Sequence, residues 1–227
     1  LVDAFAADGD TVAACGRNLP PSGSAATEFF TCDLRDPDQV ATMVGSVADR
    51  FGRIDVAVNN AGGTPYAPAA TMSPRLAERV LALNLMAPFY VAQRVNAVMQ
   101  EQDSGGVIIS IGSVVAFRPS VNVAPYVAAK AGLVGLTRAL ALEWAPKVRV
   151  NLVSPGLLLT EMVNETYGSN VDAVAATVPM GRFATATDVA AACLAIADPG
   201  LRYVTGSELV VDGGGELPAW LIAMEDG

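Results

Sequence analysis

The sequence predicts an α/β fold with a parallel sheet, and three observations carry that reading. Short β-rich runs alternate with helical stretches along the whole chain, the pattern of strand–helix–strand units. Several helical stretches open on a capping residue followed by proline, or close on glycine. The residues Arg17, Asp33, Asn60, Gly62, Ser113, Pro155 and Gly156 fall at the carboxyl ends of the expected strands, the edge at which an open parallel sheet binds its ligands.

Leu1–Ala7 reads as the tail of a helix stopped by Gly9. Thr11–Cys15 and Glu28–Cys32 read as strands, joined through the loop Pro20-Pro21-Ser22-Gly23-Ser24. Asp36 caps a helix with Pro37 at its first position, and that helix runs to Phe51 and stops at Gly52. Ile54–Val58 is a strand leading into Asn59-Asn60-Ala61-Gly62-Gly63. Ser73-Pro74 opens a helical region extending to about Gln102, with Pro88 expected to kink it. Val107–Ile111 is a near-continuous apolar strand, and Pro125–Ala145 a long helix rich in small residues. Val148–Val153 is a strand, Thr187–Ala197 a helix capped by Thr187, and Glu208–Val211 the last strand, closed by Asp212-Gly213-Gly214-Gly215. No repeat, linker or long charge run divides the chain, so residues 1–227 are expected to form one domain.

Composition narrows the chemistry. With 52% hydrophobic and 16% charged residues, the 227-residue chain is not intrinsically disordered. A net charge of −9 argues against a nucleic-acid partner, which requires a basic face. Histidine is absent, which excludes Ser-His-Asp and Cys-His triads and imidazole metal sites, so no metal is expected. Acid–base work falls to Tyr, Lys, Asp, Glu or Cys. Cys15, Cys32 and Cys193 are odd in number and far apart, and read as buried thiols of a reducing, cytoplasmic compartment. The most apolar stretch, Val80–Ala92, is broken by Asn84 and Pro88, so no membrane span is expected, and no signal peptide is visible. The chain begins at Leu1 rather than Met, and an incomplete N-terminus is the expectation.

Tyr126 and Lys130 stand four residues apart, on one face of the long helix. An ammonium near a phenol favours the phenolate and makes tyrosine usable for proton transfer near neutral pH. Alone, that spacing also fits a tyrosine beside a surface lysine. Ser113 precedes Tyr126 by thirteen residues and follows an apolar strand, and Asn84 sits inside an apolar helix where its amide needs a partner.

Taken together these residues resemble the short-chain dehydrogenase/reductase family. Val107–Ser113 followed by Tyr126–Lys130 looks like its Ser-Tyr-Lys signature, and Asn59–Gly62 like its N-N-A-G motif. Asn84 matches its active-site asparagine, Pro155-Gly156 with Thr160 its P-G-x-x-x-T segment, and Val211–Gly214 its V-D-G-G. The closest flavour is that of the 3-oxoacyl-carrier-protein reductases. The resemblance implies a Rossmann-type three-layer sandwich with a doubly wound parallel sheet. It implies Asn84, Ser113, Tyr126 and Lys130 as catalytic residues: Tyr126 exchanges the proton, Lys130 lowers its pKa and holds the nicotinamide ribose, Ser113 fixes the substrate oxygen, and Asn84 holds a relay water. It implies cofactor contacts from Arg17, Asp33, Leu34, Asn60, Ala61, Gly62, Tyr126, Lys130, Pro155, Gly156, Leu158 and Thr160. The family's glycine-rich phosphate loop and the strand before it are absent from this chain.

Gly16 stands where NAD-preferring members carry an aspartate, and Arg17 follows it, placed to pair with a 2′-phosphate. NADP(H) is therefore the expected cofactor, NAD(H) the second choice, with Arg17 stacking on adenine as the other reading. Asp33 either accepts from the adenine amine or starts a turn. The expected function is an NADP(H)-dependent oxidoreductase acting on a carbonyl or secondary alcohol, against a non-catalytic nucleotide-sensing or scaffold protein of the same fold. Between Thr160 and Thr187 lies the only stretch for a substrate lid, with Met162, Val163, Tyr167, Val171, Val174, Val178 and Met180; with Phe117 it suits a lipophilic substrate or simply packs on the sheet. Ala131, Gly135, Leu136 and Ala139, with the terminal run Glu216–Glu225 containing Pro218, Trp220, Leu221 and Ile222, point to a homo-oligomer, a dimer of dimers.

Overall fold

Six strands form the middle layer: β1 (Ala13–Gly16), β2 (Glu28–Thr31), β3 (Val56–Asn59), β4 (Gly106–Ile111), β5 (Val148–Pro155) and β6 (Glu208–Val211). The structure, a computed structural model, describes every residue except 21, 161–162, 164–166, 219–223 and 225–227. Expectations placed on Pro21, Met162, Trp220, Leu221, Ile222 and Glu225 lie outside the described residues. All strand pairings are parallel, as the strand–helix alternation predicts. Among the described residues they form two sheets: β1 with β2, and β3-β4-β5-β6 in that order.

Helices cover both faces. On one, α2 (Pro37–Phe51), α4 (Ala87–Glu101) and α5 (Ala124–Trp144) bring Val40, Val44, Val95, Met99 and Leu140 onto Ile108, Val148 and Val150. On the other, α1 (Val2–Ala7) and α7 (Ala186–Ala197) bring Phe5, Val189, Cys193 and Ile196 onto Val107, Ile109 and Val153. Val107, Ile108 and Ile109 alternate between the two cores because successive strand side chains point to opposite faces. Each such side chain contributes about 1.5–3 kcal/mol when fully buried. The two sheets share both layers: Cys32 joins the first core with Ile54 and Ala57, and Val12 joins the second with Val56 and Val58. The fold is thus the Rossmann-type three-layer sandwich, with its sheet divided between β1 and β3.

Helix α2 forms as its sequence dictates. Asp36 accepts from the backbone N–H of Asp38 at 3.0 Å and of Gln39 at 3.2 Å, and Gly52 closes the helix at φ +76°. The stretch from Ser73 to Gln102 departs from expectation. It is α3 (Pro74–Leu81), a π-helical turn over Ala82–Met86, and α4. The helical backbone continues from the π turn into α4, and Pro88 follows that turn directly, so the irregularity and the proline fall at the same place.

The cap of α7 is Thr185, not Thr187. The Thr185 hydroxyl accepts from Asp188 N–H at 3.2 Å while the Asp188 carboxylate accepts from Thr185 N–H at 2.7 Å, and Arg182 pairs with the same carboxylate. That reciprocal bond moves the helix start to Ala186. Strand limits also shift: β1 begins at Ala13 rather than Thr11, β3 spans Val56–Asn59, and β5 continues through Pro155. A short helix α6 (Val171–Ala176) lies in the expected lid. Cys32 and Cys193 are buried, whereas Cys15 is exposed on β1.

Candidate active site

Asn59 ends β3, buried, with its amide nitrogen donating to Ser110 Oγ at 3.2 Å on neighbouring β4 and to Pro88 O at 3.4 Å. That anchoring holds the exposed turn Asn60-Ala61-Gly62 in place. Asn84 lies in the π turn and is wholly buried. Its Oδ1 accepts from Gly63 N–H at 2.9 Å, and its Nδ2 donates to Gly63 O and to Val80 O, each at 2.9 Å. The asparagine's amide is thus spent on shaping the Gly62-Gly63 backbone. A Cβ on Gly62 would stand 2.8 Å from Asn84 Oδ1 and 3.5 Å from Lys130 Nζ, so only glycine lets these three groups converge.

Lys130 is 4% exposed. Its ammonium donates to Ile111 O at 2.7 Å and stands 5.4 Å from the centre of the Tyr126 ring. Among the described residues it faces no carboxylate. Burial pulls its pKa down to about 8. The Tyr126 phenol is pushed above its usual value by burial, with the Ser113 hydroxyl pulling partly back and Tyr66 pushing further up. The helical spacing predicted a phenol lowered by Lys130. In the structure Lys130 is not among the groups that move the phenol; burial dominates, so Tyr126 carries its proton at neutral pH. Ser113, at the end of β4, accepts from Val115 N–H at 3.3 Å through its hydroxyl.

At the end of β5, Gly156 donates its N–H to Val211 O at 3.0 Å, and a Cβ there would meet Asp212 Cβ at 2.7 Å. Leu158 forms a parallel bridge with Ala184, and Thr160 is exposed. The structure therefore gathers Asn84, Gly62, Ser113, Tyr126 and Lys130 around the ends of β3 and β4. Asn59 and Gly63, read from the sequence as part of the strand-end run, support them; Ser110 does too and was not singled out, although a hydroxyl inside an apolar strand was its signal.

A family model described as enoyl-(acyl carrier protein) reductase matches residues 2–216. The chain belongs to the short-chain dehydrogenase/reductase family. It is an oxidoreductase of that family. It is 35% identical over 225 residues to a D-threitol dehydrogenase of Mycolicibacterium smegmatis, covering 94% of this chain and 86% of that one. It is 35% identical over 186 residues to a 3-oxoacyl-[acyl-carrier-protein] reductase of Thermotoga maritima, covering 82% and 75%. Among solved structures, an actinorhodin polyketide ketoreductase variant with NADPH superimposes with a TM-score of 0.85 at 32% identity, covering 94% of this chain and 90% of that one.

Pro155 ends β5, buried, and the remaining sequence-predicted residues of this short-chain dehydrogenase/reductase follow the strands of the two-stranded sheet. Arg17 follows β1 and is exposed. Asp33 follows β2 and is held by Arg35, whose Nε and Nη2 donate to its two oxygens at 2.9 and 2.5 Å. The Arg35 backbone N–H adds a third bond at 3.1 Å. Arg35's hydrogen bond is the main reason the Asp33 carboxyl titrates down at about 2. Arg35 was not read from the sequence; the D-x-R spacing was its signal. Leu34 packs against the α2–α4 core, which accounts for its side chain.

Proposed function

We propose that this enzyme is NADP(H)-dependent and interconverts a carbonyl and a secondary alcohol, with Asn84, Ser113, Tyr126 and Lys130 as its working residues. The observation that carries the reading is the buried Lys130 ammonium. A charge removed from water with a single carbonyl partner weakens the fold. Its position between Gly62 and the Tyr126 ring explains why it is kept. One of its three protons goes to Ile111 O, which leaves two donors for a ribose diol beside a glycine that has no side chain in the way. The donor set thus fits a nicotinamide nucleotide, held by Lys130, the Asn60–Gly62 turn, Pro155, Gly156, Leu158 and Thr160, with Arg17, Asp33 and Leu34 toward the adenine end. When bound, the nicotinamide supplies or accepts the hydride.

The chain's own part is proton supply and orientation. Tyr126, protonated at neutral pH, donates to the oxygen of a carbonyl; Ser113 donates a second hydrogen bond to that oxygen. Asn84 holds the Gly63 backbone that forms one wall. Exposed Arg17 supports NADP(H), since its guanidinium is open to a 2′-phosphate. Phe117, together with Tyr167, whose ring lies tilted with its centre 5.8 Å from that of Phe183, supports a lipophilic 3-oxoacyl-type or steroid-like substrate. The division of the sheet between β1 and β3 supports a further strand there, carrying the glycine-rich loop. Of the helix-face residues expected at an interface, Ala131, Gly135 and Ala139 are exposed and support homo-oligomer assembly, whereas Leu136 packs against the chain's own core; unpaired cysteines support a cytoplasmic location.

The test is consumption of NADPH and NADH by the full-length protein with an acetoacetyl thioester, a steroid ketone and a short ketone. The reading expects turnover with at least one carbonyl and a kcat/KM about tenfold or more in favour of NADPH, the worth of one charged hydrogen bond. No turnover of either nucleotide with any carbonyl, or with the matching alcohols, would contradict it.

A further inference from the structure

Arg118 lies five residues beyond Ser113, on the loop between β4 and α5, and no motif named above includes it. Its backbone N–H donates to Val114 O at 2.8 Å, closing the turn that Ser113 begins. Its guanidinium leaves that turn and reaches the segment that follows β6. Nη2 donates to Asp212 Oδ2 at 2.5 Å and Nη1 pairs with Glu216 Oε2 at 3.1 Å. Its Nε is buried and has no hydrogen-bond partner among the described residues. A buried donor left unpaired is unfavourable, so two carboxylates hold the side chain where it gains nothing at Nε.

The segment it reaches is a junction. Asp212 follows β6, and Gly213, Gly214 and Gly215 follow with φ of +64°, +96° and +90°, a path only glycines take without strain. Val178 and Met180 crowd Gly213, and Pro179 crowds Gly214, so closely that a Cβ at either would lie 2.8 to 3.3 Å from them. Met180 N–H donates to Gly213 O at 3.2 Å and Leu217 N–H to Thr177 O at 2.7 Å. Asp212 itself abuts Gly156. One guanidinium therefore joins the Ser113 turn to the segment that supports both Gly156 and residues 177–180.

We infer that Arg118 is a positioning residue for substrate: its two-carboxylate clamp fixes the distance between the Ser113 wall and the 177–180 wall of the cleft. The inference rests on the reading that the carbonyl sits between Ser113 and Tyr126. Among the described residues Arg118 makes no hydrogen bond to Tyr126 or Lys130, so the proton chemistry stands apart from the clamp. Glu216 is the outer arm and Asp212 the inner one.

The test compares the full-length protein with Arg118→Met, Arg118→Lys and Glu216→Gln, using NADPH with a short and a long methyl ketone. Hydrogen–deuterium exchange of residues 114–118, 177–180 and 212–217 is measured on the same proteins. In Arg118→Met the ketone KM is expected to rise about tenfold, with kcat and the NADPH KM within about threefold of the parent, the mark of lost ground-state positioning. The ratio of kcat/KM for long over short ketone shifts as well. Arg118→Lys restores part of the KM, and Glu216→Gln gives a smaller rise. Exchange rises in all three segments together. If Arg118→Met does not fold, Glu216→Gln decides, because it leaves no charge buried alone. Unchanged ketone KM with exchange unchanged outside 114–118 overturns the inference, as does a loss shared equally by kcat, ketone KM and NADPH KM. Failure of the parent to turn over any carbonyl strikes the functional reading; exchange that stays confined to one segment strikes the clamp alone.

Discussion

At the ends of β3, β4 and β5 the polar side chains are buried and bonded to backbone or to one another, as Asn59, Asn84, Ser110 and Lys130 are. At the ends of β1 and β2 they stand near water: Arg17 is exposed, and Asp33 and Arg35 keep about a third of their side chains open. The four-stranded sheet is covered on both faces and its two inner strands are paired on both edges, so it can hold polar groups rigidly in a medium of low dielectric. The two-stranded sheet has one pairing only, and its first strand alternates exposed and half-buried residues. On the proposed function, proton transfer by Tyr126 falls to the first region, and recognition of a charged group that arrives from solvent, through Arg17, to the second.

The largest expected effect breaks the first region. Lys130→Met should lower turnover by about 10²–10⁴, while the melting temperature stays level or rises, because a buried ammonium is replaced by an apolar chain of similar length. Steady-state kinetics beside thermal unfolding measure both. A melting temperature that falls with the activity would make Lys130 structural.

Arg17→Ala addresses the second region. The NADPH-over-NADH ratio of kcat/KM should fall about tenfold, with kcat for the better nucleotide little changed. An unchanged ratio removes Arg17 as the selector.

The third effect is in pH. Lys130 titrates at about 8 in the fold against 10.5 when unperturbed. A lysine lowered by folding binds its proton more weakly in the native state, so its penalty is full below pH 8. Stability without nucleotide should therefore rise between about pH 8 and 10.5, and this increment should vanish in Lys130→Met. Urea unfolding across that window reads it. A parent and variant with the same pH slope would contradict the burial of this charge.

The smallest effect is at Asp33. Arg35→Ala should return its carboxyl from about 2 toward 3.8. The ion pair's contribution to stability, present above pH 3.8 and lost as the pH falls through about 2, should disappear with it. Carboxyl titration by NMR measures the shift, and a carboxyl that stays near 2 would assign the effect elsewhere.

Much of this was legible from the residues. The cap-plus-proline signal at Asp36-Pro37 and the stop at Gly52 set α2 to the residue, and the apolar run before Ser113 placed β4. Those signals are local, and local rules govern them. What escaped depended on partners distant in sequence. Whether Asp188 would reach back to Thr185 decided the cap of α7. The partner of the buried Asn84 amide was Gly63, 21 residues upstream. The Tyr126 pKa followed from how much of the fold closes around it, which the four-residue spacing to Lys130 does not encode.

The central claim is that the buried end of the four-stranded sheet performs proton transfer through Tyr126. The most direct test is Tyr126→Phe in the full-length protein, with turnover of the best ketone and NADPH affinity measured side by side. The account expects turnover to fall by about 10²–10⁴ while NADPH binds within about threefold of the parent, since only the phenolic proton is removed. Near-parental turnover in that variant would contradict the account.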